Sequence, residues 1–202
     1  MNKNNKILNM IIYFAIVVTT VLIDQITKIL LYGKSQSLIG DFLWLESPAL
    51  NTGAAFNMIS NNLVLTIITC CFACLMIYVL ISERFIKSTF FKISLSILLG
   101  GTIGNIIDRV IFGGVRDFIY LKSINFAIFN FADIFVNIGV YLVIGYFIYA
   151  IFVEAKNKNA KNGKSQNATA TENIGEINND TFGEKNINTE TGDKLLDEGD
   201  KK

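Results

Sequence analysis

Four stretches of this 202-residue chain are each apolar over the roughly 20 residues needed to cross a bilayer. They run from about Ile7 to Leu31, Leu63 to Ile81, Phe90 to Ile107 and Phe131 to Val153. In hydrocarbon no water satisfies a backbone amide or carbonyl, so an apolar run of this length must close its own hydrogen bonds. The expected fold is therefore an all-α integral membrane protein with four transmembrane helices.

Composition agrees with that class. Hydrophobic residues make up 51% of the chain, with 16 Phe, and charge is concentrated at the C-terminus. The net charge of +1 points to no nucleic-acid partner. The chain has no His, which removes Ser-His and Cys-His catalysis and the commonest zinc ligand. Cys70, Cys71 and Cys74 all fall inside one apolar run, so they read as small buried hydrophobes, not as a disulfide framework or a redox pair.

The third span is the least hydrophobic. Gly100, Gly101, Gly104 and Asn105 interrupt its end, a pattern that suits close helix packing in lipid. The first span has a basic start, yet it is too long for a cleaved signal peptide and runs into Asp24-Gln25-Ile26-Thr27-Lys28, so a retained helix is expected. Lys3 and Lys6 precede that span, Arg84, Lys87 and Lys92 lie between the second and third, and Lys156, Lys158, Lys161 and Lys164 follow the fourth. The bias toward Lys and Arg puts these segments, and both termini, in the cytoplasm. The loops over about 32–62 and 108–130 then face outward. Within them 41–46, 117–121 and 125–129 are rich in aromatics and alternate in part, so a small extracytoplasmic β-sheet is expected there.

Two domains follow from composition. Residues 1–155 form the four-helix membrane domain. Residues 156–202 are rich in Asn, Lys, Glu, Thr and Gly, with too little apolar area to fold, and form a hydrophilic, disordered cytoplasmic tail.

Before that tail there are only five aspartates, and four of them (Asp24, Asp108, Asp117 and Asp133) fall at the outward ends of the spans. Asn51, Asn105 and Asn130 fall at the same level. Near hydrocarbon each polar group needs a partner, so such a layer calls for an explanation. Taken singly, the residues have structural readings. Asp108 and Arg109 can form an interfacial ion pair, Asp24 can pair with Lys28 one turn on, and Asp133 or Asn130 can cap the fourth helix. Asn51-Thr52-Gly53-Ala54-Ala55-Phe56 can be a turn, its small residues allowing close approach. As a set they read as an active site. Asp117 and Asp133, held close, cannot both ionise easily, and a dyad that shares a proton can activate water against a carbonyl. A proton or ion relay through the same aspartates is the reading from another class, and a structural scaffold is a third.

The motifs together resemble one family, the type II (lipoprotein) signal peptidases of bacteria. The matching elements are Asp24-Gln25-x-x-Lys28, Asn51-Thr52-Gly53-Ala54-Ala55-Phe56, Gly104-Asn105-Ile106-Ile107-Asp108-Arg109, Val115-Arg116-Asp117-Phe118 and Phe129-Asn130-Phe131-Ala132-Asp133, over roughly residues 7–153. The resemblance implies an aspartyl endopeptidase of the bacterial inner or plasma membrane. It would cut prolipoproteins before a diacylglyceryl-modified cysteine, near the outer face. Asp117 and Asp133 match the family's catalytic pair. Asp24, Lys28, Asn51, Gly53, Asn105, Asp108, Arg109 and Asn130 match its supporting residues. Membrane lipid and globomycin-type inhibitors are the implied partners, neither a metal nor an organic cofactor is implied, and the enzyme is expected to act as a monomer. The chain departs from the family at Arg116, where an apolar residue is usual and where a cation could neutralise Asp117.

Overall fold

The computed structural model describes residues 3–53, 61–82 and 87–158. Among them four helices are long and apolar enough to cross a membrane. Helix α1 spans Lys3–Leu31, α2 Asn62–Ile81 and α3 Thr89–Phe112. Helix α4 spans Phe131–Lys158. Three short strands, β1 (Gln36–Ile39), β2 (Leu43–Leu45) and β3 (Ile119–Leu121), form one antiparallel sheet in the order β1-β2-β3. The chain is a multi-pass membrane protein.

Exposure is inverted relative to a water-soluble protein. Phe14, Ile29 and Tyr141 are each 70% exposed, and large apolar side chains cover the outer faces of α1, α2 and α4. That surface requires lipid as its solvent. Helix α3, the least hydrophobic span, is instead the most enclosed. Its Phe91, Leu95, Leu98 and Leu99 pack with Ala73, Met76 and Leu80 of α2, and Val17 of α1 and Val136 of α4 close the cluster from the other sides. The glycines make this possible. A Cβ on Gly101 would sit 2.6 Å from the Ala132 carbonyl oxygen of α4, and one on Gly104 would run into the Asp24 carboxylate of α1. Close approach here brings polar groups together as well as backbones.

Helix ends set the depth of the polar residues. Helix α3 continues past Ile107, where the apolar run ends, to a left-handed cap at Gly113 (φ 75°). Asp108 and Arg109 therefore belong to the last turns of α3, not to a loop. The sheet also differs from expectation. Strand β1 pairs with β2 although its sequence carries little strand signal, and 125–129 forms no strand. A 3-10 turn at Lys122–Ile124 and a left-handed Asn125 (φ 48°) reverse the chain there, leaving Phe129 as a single bridge to Ile119.

Residues Tyr149–Lys202 make a separate unit from the residues before them. Its described part is the end of α4, where Glu154 and Lys158 pair at 2.9 Å, so the first three residues assigned to the tail are helical. Ala54, Ala55, Phe56, Arg84, Lys161, Lys164 and the rest of the tail lie outside the described residues.

Candidate active site

The layer of carboxylates and amides assembles where α1 and α3 end and α4 begins, and it falls into two coupled parts. The lower part is a charge cluster. Lys28 Nζ, fully buried, donates to Asn105 Oδ1 at 3.0 Å and pairs with Asp24 Oδ2 at 2.9 Å and Asp108 Oδ2 at 3.3 Å. Its three protons thus meet three acceptors. Arg116 holds Asp108 bidentately, with Nη2 to Oδ1 at 2.7 Å and Nε to Oδ2 at 3.2 Å, while its backbone N–H also donates to Oδ2 at 2.9 Å. Gln25 ties the group together, donating to Asp24 and to the Gly104 carbonyl, both at 3.0 Å, and accepting from Arg116 at 2.9 Å. Two anions and two cations cancel, and each carries further hydrogen bonds, which is what a buried ion-pair cluster requires. Removing a single member strands a charge at a cost of about 3–5 kcal/mol.

Two sequence expectations need correction here. Asp108 does not pair with its neighbour Arg109, because consecutive helical residues point about 100° apart and cannot face one another. Its cations are Arg116 and Lys28. Arg116 likewise does not neutralise Asp117, since its guanidinium is turned away onto Asp108 and Gln25. Gln25 and Arg116 are the residues whose place in the cluster sequence reasoning missed. Gln25 lies inside the Asp24-Gln25-x-x-Lys28 motif, and the charge of Arg116 is visible in the sequence while its partner is not.

The upper part holds Asp117 and Asp133, joined by Asn130. Asn130 is the N-cap of α4, its Oδ1 accepting from Asp133 N at 3.0 Å, while Asp133 Oδ2 accepts from Asn130 N at 3.1 Å. This reciprocal capping box satisfies two helix-terminal donors and fixes the Asp133 side chain. The structural reading of both residues as caps is therefore correct, and the cap is what aims the carboxylate. A third donor, Ala132 N, is met from α1 by Asp24 Oδ1 at 2.9 Å. The Asn130 amide also donates to Asp117 Oδ1 at 2.6 Å and to Asn105 Oδ1 at 3.2 Å, and Asn105 Nδ2 donates to Asp133 Oδ1 at 2.8 Å. One asparagine thus bonds to both carboxylates, and a second links them to Lys28.

Asp117 is held from the other side by Asn51. Asn51 exchanges two 2.9 Å backbone hydrogen bonds with Val115. Its Oδ1 accepts from Gly53 N at 3.0 Å, which leaves Nδ2 to donate to Asp117 Oδ2 at 2.9 Å. Beyond Asp117, Phe118 N and Ile119 N both donate to the Phe129 carbonyl, at 3.1 and 2.8 Å. Asp117 therefore sits on backbone clamped before and after it.

Burial pushes the Asp117 carboxyl up to about 6, and the Asp133 charge adds to that, while the Asn51 and Asn130 hydrogen bonds and the Lys28 charge pull it down. With the lower cluster neutral, Arg109 is the nearby cation whose charge interacts with both Asp133 and Asp117. Arg109 is half-buried, and its Nε has no hydrogen-bond partner among the described residues. A groove of about 270 Å³ opens beside Asp133, lined by Phe126, Phe129, Ile134, Asn137, Ile138 and Tyr141, and follows α4 along the lipid-facing surface. It joins a carboxylate to an apolar channel.

Four membrane helices, a small sheet at one end and a layer of paired carboxylates beneath it define a polytopic membrane enzyme. Comparison with known proteins identifies which one. The family model described as signal peptidase (SPase) II matches residues 16–149, and the chain belongs to that family of peptidases. It is 36% identical over 160 residues to a lipoprotein signal peptidase of Enterococcus faecalis, covering 76% of this chain and 96% of the relative. It is 34% identical over 158 residues to a lipoprotein signal peptidase of Halalkalibacterium halodurans, covering 75% and 99%. Two solved structures of bacterial membrane enzymes determined by the in meso method share the fold. One, at 2.3 Å, has a TM-score of 0.60 and 33% identity over 68% of this chain and 87% of that one. The other, at 1.9 Å, has a TM-score of 0.59 and 34% identity over 67% and 91%.

Proposed function

We propose that this protein is an aspartyl endopeptidase that removes the signal peptide from diacylglyceryl-modified prolipoproteins, cutting before the lipidated cysteine. The observation that carries this reading is the bonding of Asp117 and Asp133 to one Asn130, at a depth where α4 begins. The names of the Enterococcus and Halalkalibacterium relatives support the substrate class.

In this reading Asp117 and Asp133 share one proton. The ionised partner takes a proton from a water as it attacks the scissile carbonyl, and the protonated partner donates toward the carbonyl oxygen. Asn130 keeps the two at a fixed separation, and Asn51 holds Asp117 from outside. Asn105 transmits the Lys28 charge to Asp133. The diacylglyceryl chains stay in the bilayer against α4, so the bond beside the modified cysteine waits at the height of the dyad. The groove lined by Ile134, Ile138 and Tyr141 suits an acyl chain, and the unsatisfied Arg109 Nε is a donor available to the substrate.

The enzyme acts as a monomer in the bacterial plasma membrane, with both termini cytoplasmic and the dyad near the outer face. Lys6, Lys87 and Lys92 at the opposite helix ends support that orientation. The apolar cluster of α2 and α3 lies between those lysines and the dyad, which disfavours a polar relay across the bilayer. Globomycin-type inhibitors would occupy the dyad and its groove. The test compares a lipidated precursor peptide with its unlipidated twin, using the purified protein in mixed micelles. Cleavage of the lipidated peptide alone, at the bond before the modified cysteine, is expected. Equal cleavage of both peptides contradicts the substrate assignment.

A further inference from the structure

The groove beside Asp133 contains one polar side chain that the chemistry described above leaves without a task. Asp133, Asn137 and Tyr141 follow one another at intervals of one helical turn along α4, and all three line the groove with Leu121, Phe126 and Phe129. Asp133 belongs to the dyad. Asn137 is the next residue down that stripe, about 6 Å further along α4 at the helical rise. It carries the one amide side chain among the described residues that line the groove.

An amide is a costly choice at this place. Asn137 is exposed, and Ile138 and Tyr141 beside it on the lipid-facing surface are exposed apolar side chains. An amide group without a hydrogen-bond partner in apolar surroundings costs about 1–3 kcal/mol, so a polar residue on such a face reads as functional. The helix satisfies only part of it. Asn137 Nδ2 donates one hydrogen to the Asp133 carbonyl at 2.9 Å, a bond that lays the side chain back along α4 toward the dyad. The nitrogen carries a second hydrogen, and among the described residues no acceptor meets it. The groove thus presents a donor of fixed position one turn beyond the Asp133 carboxylate.

What this donor could meet follows from the substrate, so the inference rests on the peptidase reading given above. In a diacylglyceryl-modified cysteine the first ester carbonyl lies about 8 Å from the cysteine nitrogen when the linker is extended. Between that nitrogen and the acyl chains the ester carbonyls are the strong acceptors, and the linker offers no donor. With the scissile bond at the dyad and the chains laid along α4, an ester carbonyl comes to the height of Asn137. We propose that Asn137 is a specificity residue whose second N–H bonds an ester carbonyl of the glyceryl group, so that the protein reads the ester linkage and not only the apolar chains. The contact is remote from the bond that breaks and is made alike in the ground state and the transition state, so it acts on KM and not on kcat.

The test uses two lipopeptides of the same sequence and chain length, one carrying an ester-linked diacylglyceryl group and the other an ether-linked dialkylglyceryl group, which lacks both carbonyls. The full chain is purified in mixed micelles, and kcat and KM are measured for each. Wild type should cut the ester substrate with about fivefold higher kcat/KM, expressed in KM, the equivalent of about 1 kcal/mol for a neutral hydrogen bond. Asn137→Leu, similar in size and apolar, should cut the two about equally. The residue is exposed, so this variant carries little risk to the fold. A role confined to bonding the Asp133 carbonyl would instead slow both substrates by the same factor and leave the preference intact. That result, or a wild type indifferent to the linkage, would overturn the proposal. Failure of the wild type to cut either lipopeptide would strike the peptidase reading itself, and this assignment with it.

Discussion

Asn51→Ala tests the electrostatics of the dyad with little risk to the fold. Asn51 is exposed, and both of its backbone bonds to Val115 survive the substitution. What is lost is the 2.9 Å donation from Nδ2 to Asp117 Oδ2 and, beside it, the bond that Oδ1 accepts from Gly53 N. The former favours the anion, so its loss must move the Asp117 carboxyl further up from about 6. A hydrogen bond to a charged group contributes about 1.5–3 kcal/mol, and water can replace part of it at an exposed residue, which leaves about 1 kcal/mol. At 1.36 kcal/mol per pH unit the shift is then about 0.5–1 unit upward. If the dyad works with one shared proton, activity fails on the alkaline side as that proton leaves, so the alkaline limb of kcat/KM tracks this group. The assay is the pH profile of kcat/KM on a lipidated fluorogenic peptide, wild type against Asn51→Ala. The alkaline limb should move to higher pH while maximal kcat drops about tenfold from looser positioning of Asp117. An unmoved limb, or one displaced to lower pH, would refute the assignment of the proton to this pair.

Other outcomes follow from the same geometry. Asp108→Asn leaves Lys28 and Arg116 facing one anion, and should lower stability by about 3–5 kcal/mol, read as a fall in the thermal midpoint in detergent. Gly104→Ala drives a methyl into the Asp24 carboxylate; it should destabilise by about 1–3 kcal/mol, where a neutral result would mean that α1 and α3 do not meet as described. Because the chain has no His and the proposed chemistry needs only carboxylates, EDTA should leave the cleavage rate unchanged; a marked loss restored by zinc would count against it.

Much of this molecule is legible in the sequence because lipid punishes exceptions. A run of apolar residues as long as a bilayer has one structural solution, so the four spans were readable to within a few residues at most ends. The end of α3 was not. Hydropathy stops at Ile107, but helix geometry persists through Asp108 and Arg109, because the Lys28 and Arg116 charges solvate Asp108 from outside the helix. Polar residues at a common depth were visible as a layer, yet which of them touch is set by rotation about the helix axes, which depth alone does not reveal. That is why the sequence suggests Asp117, the neighbour of Arg116, as its partner, whereas the side chain reaches Asp108. Strand β1 was invisible for a different reason. It is held by pairing with β2 and carries no periodic pattern of its own, all four of its residues being exposed.

The most direct measurement is turnover of a lipidated precursor by Asp117→Asn and Asp133→Asn, each purified in the same micelles and checked for an unaltered thermal midpoint. A carboxamide keeps the shape and one acceptor oxygen but cannot share the proton, so each variant should lose essentially all cleavage while still binding the substrate. Near-normal turnover by either folded variant would mean that these two carboxylates are not the reacting groups.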